Sequence, residues 1–152
     1  MARKKIWLIP VLVWLVISLT SCGMTSSTNY NGLKGSAQLG GGGCKGGSRQ
    51  GECSGVLNKL NGTFYKSIDI ESLQTNEPDL VLEAVVSVGS GTVIVYVYDS
   101  AGQQHAVEVK AGETASLVGM ASAMSNDFMV FFEAVGGEAD QVKYTVRYAA
   151  GD

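Results

Sequence analysis

The chain has 152 residues, a formal net charge of −3 and 45% apolar side chains, enough for one modest core but without the cationic excess that nucleic acid or an anionic lipid surface selects. Beyond residue 22 the chain offers Cys44, Cys53 and a distant His105, three ligands where a structural zinc site takes four. Neither CxxC nor CxxCH occurs, so a thioredoxin-type redox pair and a haem attachment site lack their motifs.

In chain order, the first segment joins a basic start (Arg3, Lys4, Lys5) to an apolar stretch from Ile6 to Leu19 and small residues before Cys22. That is the layout of an export signal, and the apolar run is shorter than the roughly 20 residues that span a bilayer as a helix. The run Leu19, Thr20, Ser21, Cys22 resembles the lipobox of bacterial lipoproteins. The resemblance implies cleavage between Ser21 and Cys22 and a diacylglyceryl thioether on Cys22, hence an exported protein held by lipid to a plasma or outer membrane. Each buried CH₂ contributes about 0.8 kcal/mol, so two or three chains anchor where one is marginal. Removing residues 1–21 leaves 8 Lys and Arg against 14 Asp and Glu, a net charge of −6.

Residues 22–61 read as a flexible tether. Thr25, Ser26, Ser27 and Thr28, then Gly40 to Gly43, Gly46, Gly47 and Gly51, offer little apolar surface to offset ordering. About 40 residues of coil would reach on the order of 35 Å. Within it Cys44 and Cys53 are expected to be bridged, as exported thiols usually are, closing a small loop. Gly41, Gly43 and Gly46 match GxGxxG, but no buried strand is expected before them and no helix after, so the match is compositional.

Residues 62–152 have the texture of an all-β domain. Strands are predicted at Thr63–Ile70, Asp79–Val88, Thr92–Tyr98, Gln104–Val109, Thr114–Val118, Phe128–Val135 and Gln141–Tyr148, and Gly119 to Asn126 reads as a loop or single helical turn. Short connections favour antiparallel neighbours. Val142, Tyr144, Val146 and Tyr148 alternate with Lys143, Thr145 and Arg147, so that strand buries one face. Thr92–Tyr98 and Phe128–Val135 are apolar on both faces, as central strands are. An antiparallel two-sheet sandwich of about seven strands fits. The order and spacing from about Phe64 to Tyr148, with Asp99 and Gly102 at one turn and Ala111 and Gly112 at the next, resemble jelly-roll-like modules of secreted bacterial proteins, including pre-peptidase C-terminal and CUB-like sandwiches. That resemblance transfers no functional residue.

No enzymatic constellation emerges. His105 shares a face with Val107 and Val109 in a middle strand and reads as structural. No Ser occupies a nucleophile elbow, no SxxK pair occurs, the carboxylates are scattered, and no set resembles a calcium loop, so no catalytic residue, metal or cofactor is expected. The second apolar face remains. If Ile94, Tyr96, Tyr98, Met129 and Phe131 share an outer surface, they form a patch larger than monomers usually expose; covering by strands, by the tether or by Leu117 to Met124 would bury the same residues. The expected function is a lipid-anchored, non-catalytic sandwich that binds a protein partner or supports envelope assembly. The alternative is a glycan-binding module using a tyrosine platform, since both tryptophans, Trp7 and Trp14, leave with the signal; a hydrolase acting through His105 comes third.

Overall fold

A computed structural model describes residues 34–71, 73 and 75–151. The expected signal and lipobox, with Cys22, lie outside the described residues. Seven strands are described: β1 Lys34–Gly46, β2 Gln50–Asp69, β3 Asp79–Ser87, β4 Thr92–Tyr98, β5 Gln104–Lys110, β6 Thr114–Ser122 and β7 Asp127–Ala150. All pair antiparallel, so the all-β antiparallel class read from the sequence is the class observed.

Two long strands organise the rest. β2 and β7 run together from Gln50↔Ala149 to Asp69↔Asp127, with a register shift between Asn61 and Thr63. At that shift Gly136 and Gly137 take φ of 73° and 148°, a region in which side chains are strained and glycine is not. The pair bends there and serves two layers. The second half of β7 lies between β2 and β3, with β1 beyond β2 and β6 beyond β3. The first half of β7 lies between the other half of β2 and β4, with β5 beyond β4.

Between the layers sits one core. Leu57, Leu60, Phe64 and Ile68 of β2 meet Leu80, Leu82 and Val86 of β3, Val93, Val95 and Val97 of β4, and Phe132, Val142 and Val146 of β7, all buried. Phe132 bridges the halves of its own strand, with ring centroids 6.0 Å from Phe64 and 4.9 Å from Tyr144. Burying each such side chain contributes about 1.5–3 kcal/mol.

Three expectations are corrected. Residues 34–61 are not coil: they form β1 and the first half of β2, paired from Lys34↔Thr63 to Gly46↔Gly51. Their apolar surface is supplied from across the sheet, because Tyr148 lies over Gly51 and Tyr144 over Gly55. A methyl at either glycine would come within 2.2 Å or 2.4 Å of the tyrosine oxygen. Glycine there makes room for a ring rather than for disorder. Next, the two strands predicted at Phe128–Val135 and Gln141–Tyr148 are one, since the glycines between them bend the chain without reversing it. Finally, the segment from Gly119 is strand as far as Ser122, paired with Asp79 to Leu82.

The hairpin assignment has a direct check. Gly55→Ala lowers unfolding free energy by about 1–3 kcal/mol through overpacking against Tyr144. Gly43→Ala, where the added methyl meets nothing within 4 Å, leaves stability unchanged or raises it by up to about 1 kcal/mol. Urea denaturation of the two variants distinguishes a packed hairpin from a coil, in which both substitutions would be neutral.

Candidate functional site

The site is the outer surface of the layer formed by β2, β7, β4 and β5. Alternation sets it. With Val93, Val95 and Val97 turned into the core, Ile94, Tyr96 and Tyr98 face outward; with Phe128, Val130 and Phe132 buried, Met129, Phe131 and Glu133 do the same. In β2 the burial of Phe64 and Ile68 leaves Tyr65 and Ser67 outside.

Strand register then stacks these positions in rows. Tyr65 pairs with Phe131 and Phe131 with Tyr96, which brings three rings into one line across three strands. Tyr96 and Phe131 lie parallel, with centroids 4.9 Å apart and planes 2° apart. Tyr65 tilts against Phe131 at 5.7 Å. Tyr98 meets Phe131 edge-on at 5.8 Å and Tyr96 at the same 5.8 Å. Such contacts contribute about 0.5–1.5 kcal/mol each beyond burial, so the cluster is a fixed surface feature. Ile94, Tyr96 and Phe131 are half-buried, while Tyr98 and Met129 keep 43% and 42% of their surface in solvent. Burial, then the Glu133 carboxylate and then Tyr98 raise the pKa of the Tyr96 phenol, keeping its proton available for donation.

All five residues expected to share an outer face therefore do so. Tyr65 was not among them, although the alternation of Phe64 and Ile68 carries the signal. Carboxylates stand at both ends of the aromatic row: Glu133 pairs with Ile94 and Ile94 with Glu108 on one side, and Asp127 pairs with Asp69 on the other. Asp127 accepts hydrogen bonds from the Ser67 and Ser125 hydroxyls. Asp69 accepts the Glu71 N–H at 2.8 Å.

The opposite outer surface differs in kind. Lys45, Glu52, Arg147 and Glu83 form a ladder across four strands, with contacts of 3.1, 2.9 and 3.5 Å. Arg147 and Lys45 hold the Glu52 carboxyl below its ordinary value. Beside the ladder lies a shallow groove of about 800 Å³ whose apolar wall includes Val81 and Val118. Solvent and salt screen exposed pairs of this sort, so the ladder orders the surface more than it stabilises the fold.

Cys44 and Cys53 form a disulfide between directly opposed positions of β1 and β2. The bridge therefore ties an edge strand to the core rather than closing a knob in a tether. It suits a domain that lives outside a reducing compartment.

His105 lies on β5, which among the described residues pairs only with β4, so its strand is at the edge of its ladder and not in the middle. It is half-buried, and its Nε2 is 3.2 Å from Oδ2 of Asp99. Asp99 is buried in the β4–β5 turn and also accepts the backbone N–H groups of Ala101 at 3.0 Å and Gln103 at 2.8 Å. The pair braces a hairpin. No group of three or more His, Cys, Asp or Glu that could hold a metal ion occurs among the described residues.

No protein-family model and no curated protein matches the chain. Solved structures resemble it distantly. Procruciferin of Brassica napus, an 11S globulin, is 17% identical over 67% of this chain and 21% of its own, with a TM-score of 0.33. A protein of Bacillus endospore appendages, described as disulfide-linked pili, is 16% identical over 80% of this chain and 100% of its own, with a TM-score of 0.38. The CBM22-1 xylan-binding domain of Paenibacillus barcinonensis Xyn10C is 16% identical over 81% of this chain and 86% of its own, also at 0.38. The chain spans about a fifth to a third of the length of the seed globulins it matches.

Asp99 gives the domain a pH signature. The Gln103 N–H, then the His105 contact and the Ala101 N–H, lower its pKa against the opposing effect of burial. A carboxylate with a lowered folded-state pKa contributes stability above its unfolded value near 4, and loses it as pH falls through the folded value. The gap between wild type and Asp99→Asn, read from urea midpoints, is therefore full at neutral pH, starts to close near pH 4 and falls to a pH-independent remainder at lower pH.

Proposed function

We propose that this chain is an exported lipoprotein of a bacterial envelope, anchored through Cys22, whose sandwich is a non-catalytic module that binds a protein partner on its aromatic face. One observation carries the reading: Tyr65, Phe131, Tyr96 and Tyr98 form a contiguous ring cluster on an outer sheet surface, with Met129 exposed beside it. Contiguous apolar side chains on an outer sheet surface favour a contact site, and aromatic side chains anchor protein interfaces. The Cys44–Cys53 bridge and the lipobox resemblance support placement outside the cytoplasm.

A glycan is the competing occupant, and the exposed Tyr98 beside its cross-strand partner Gln104 is what favours it. Against that, sugar platforms offer free ring faces, whereas Tyr96 and Phe131 turn a face to each other. Their edges point outward and suit a side-chain interdigitating surface better than a flat sugar ring. The hydrolase reading lacks a nucleophile: the His105 ring meets the Asp99 carboxylate, and no Ser hydroxyl bonds to that ring among the described residues.

Two measurements test this. In a bacterial host, Cys22→Ser leaves an unprocessed precursor that takes up no labelled fatty acid; label in that variant would refute the anchor. A photo-reactive residue at Met129 gives a discrete protein adduct that disappears with Tyr98→Ala and does not form from the same probe at Thr145. Equal adducts from Met129 and Thr145, or adducts with glycan alone, would overturn protein binding at this face.

A further inference from the structure

The two outer surfaces of the sandwich handle charge in opposite ways. On the β1–β2–β7–β3 surface every charge of the ladder meets its opposite, Lys45 with Glu52, Glu52 with Arg147, and Arg147 with Glu83, all within 3.5 Å. On the aromatic surface Glu133, Asp127 and Asp69 have no basic partner among the described residues, and only Glu108 meets a cation, Lys110, at 3.6 Å. Asp69 and Asp127 stand directly opposite each other across β2 and β7, like charges that repel and that hydroxyl and backbone N–H donors, rather than cations, hold in place. Tyr65, Phe131, Tyr96 and Tyr98 lie between these two carboxylate ends.

We infer that the aromatic face recognises a cationic polypeptide segment, whose Lys or Arg side chains meet the carboxylates at both ends of the row while its apolar side chains cover the rings. The inference rests on the docking role assigned to this face and adds the chemistry of the partner. Charge selects the occupant. A second copy is a poor fit, because its other surface is already charge-paired and the mature chain carries a net −6. An anionic lipid surface is repelled for the same reason. A guanidinium suits the carboxylates through its paired N–H donors, while the ring edges take the segment's apolar side chains.

The test uses the purified full chain in neutral detergent and two fluorescent 12-residue peptides, one alternating Arg with Val and Thr, the other with Glu in place of each Arg. The Arg peptide binds, and the Glu peptide binds at least about tenfold more weakly. Combining Glu133→Gln with Glu108→Gln, both exposed sites, weakens the Arg peptide about tenfold without moving the thermal midpoint. Combining Glu52→Gln with Glu83→Gln on the opposite surface leaves it unchanged. Tyr98→Ala weakens it as well. If both peptides bind equally and both depend on Tyr98, the cationic inference falls while the docking face stands. If the Arg peptide binds but ignores Tyr98→Ala, or responds equally to the opposite-surface pair, the docking reading falls with it. Binding of neither peptide overturns the inference.

Discussion

The long antiparallel ladder between β2 and β7 is the constraint on which the molecule depends. It is the only pairing that belongs to both layers among the described residues, and each other strand reaches the sandwich through it: β1 on β2, β3 and β4 on opposite halves of β7, β5 on β4, β6 on β3. Because side chains alternate along a strand, one slip of register in this ladder would invert every face it carries. At the bend, Gly136 and Gly137 take left-handed backbone at no side-chain cost, and Gln141, further along β7, takes a φ of 53°. Beyond the bend the same alternation that buries Val142 and Val146 in one layer buries Phe132 and Val130 in the other. The ring row on the outside is a by-product of the same register: Tyr65, Phe131 and Tyr96 align because Phe64, Phe132 and Val95 are held inside.

How much of this was legible in the sequence follows from how local each signal is. Strands from Asp79 to Lys110 are marked by their own alternation and by turn residues, and they sit close to where pattern alone places them, while β6 runs four residues past its expected end at Val118. The outward grouping of Ile94, Tyr96, Tyr98, Met129 and Phe131 follows from two strands being apolar on both faces, and pairing brings those strands together. Residues 34–61 show the opposite case. A window rich in glycine reads as coil because its neighbours in sequence offer nothing to bury, yet Gly51 and Gly55 are where Tyr148 and Tyr144 lie, about 90 positions later. Composition measured along the chain cannot register a cavity filled from across the sheet. The single strand from Asp127 to Ala150 escaped for a related reason: a bend and a turn use the same two glycines.

The disulfide gains meaning from the same correction. In a free tether a bridge between Cys44 and Cys53 would stiffen a loop. Between paired strands it fastens β1, whose side chains are almost all exposed, to Cys53 in the core. β1 has little apolar burial of its own, with Ala37 its contribution to the core margin. The bridge narrows the unfolded ensemble by closing a short loop, and it keeps an edge strand docked that packing alone holds weakly.

Correcting the tether also changes how the face would be presented. With β1 starting at Lys34, only 12 positions separate it from Cys22, and a chain of that length spans at most about 40 Å. Lys34 pairs with Thr63, and Thr63 belongs to the row that contains Glu133 and Ile94. The chain leading back to Cys22 therefore enters the sandwich beside the acidic end of the aromatic face. A lipid on Cys22 would hold that face within a few nanometres of the bilayer, where unpaired carboxylates disfavour lying flat on anionic headgroups. Under the proposed anchor and partner, repulsion from the membrane and attraction to a basic segment would act together: the charges that would keep the ring cluster off anionic lipid would leave it open to a cationic segment.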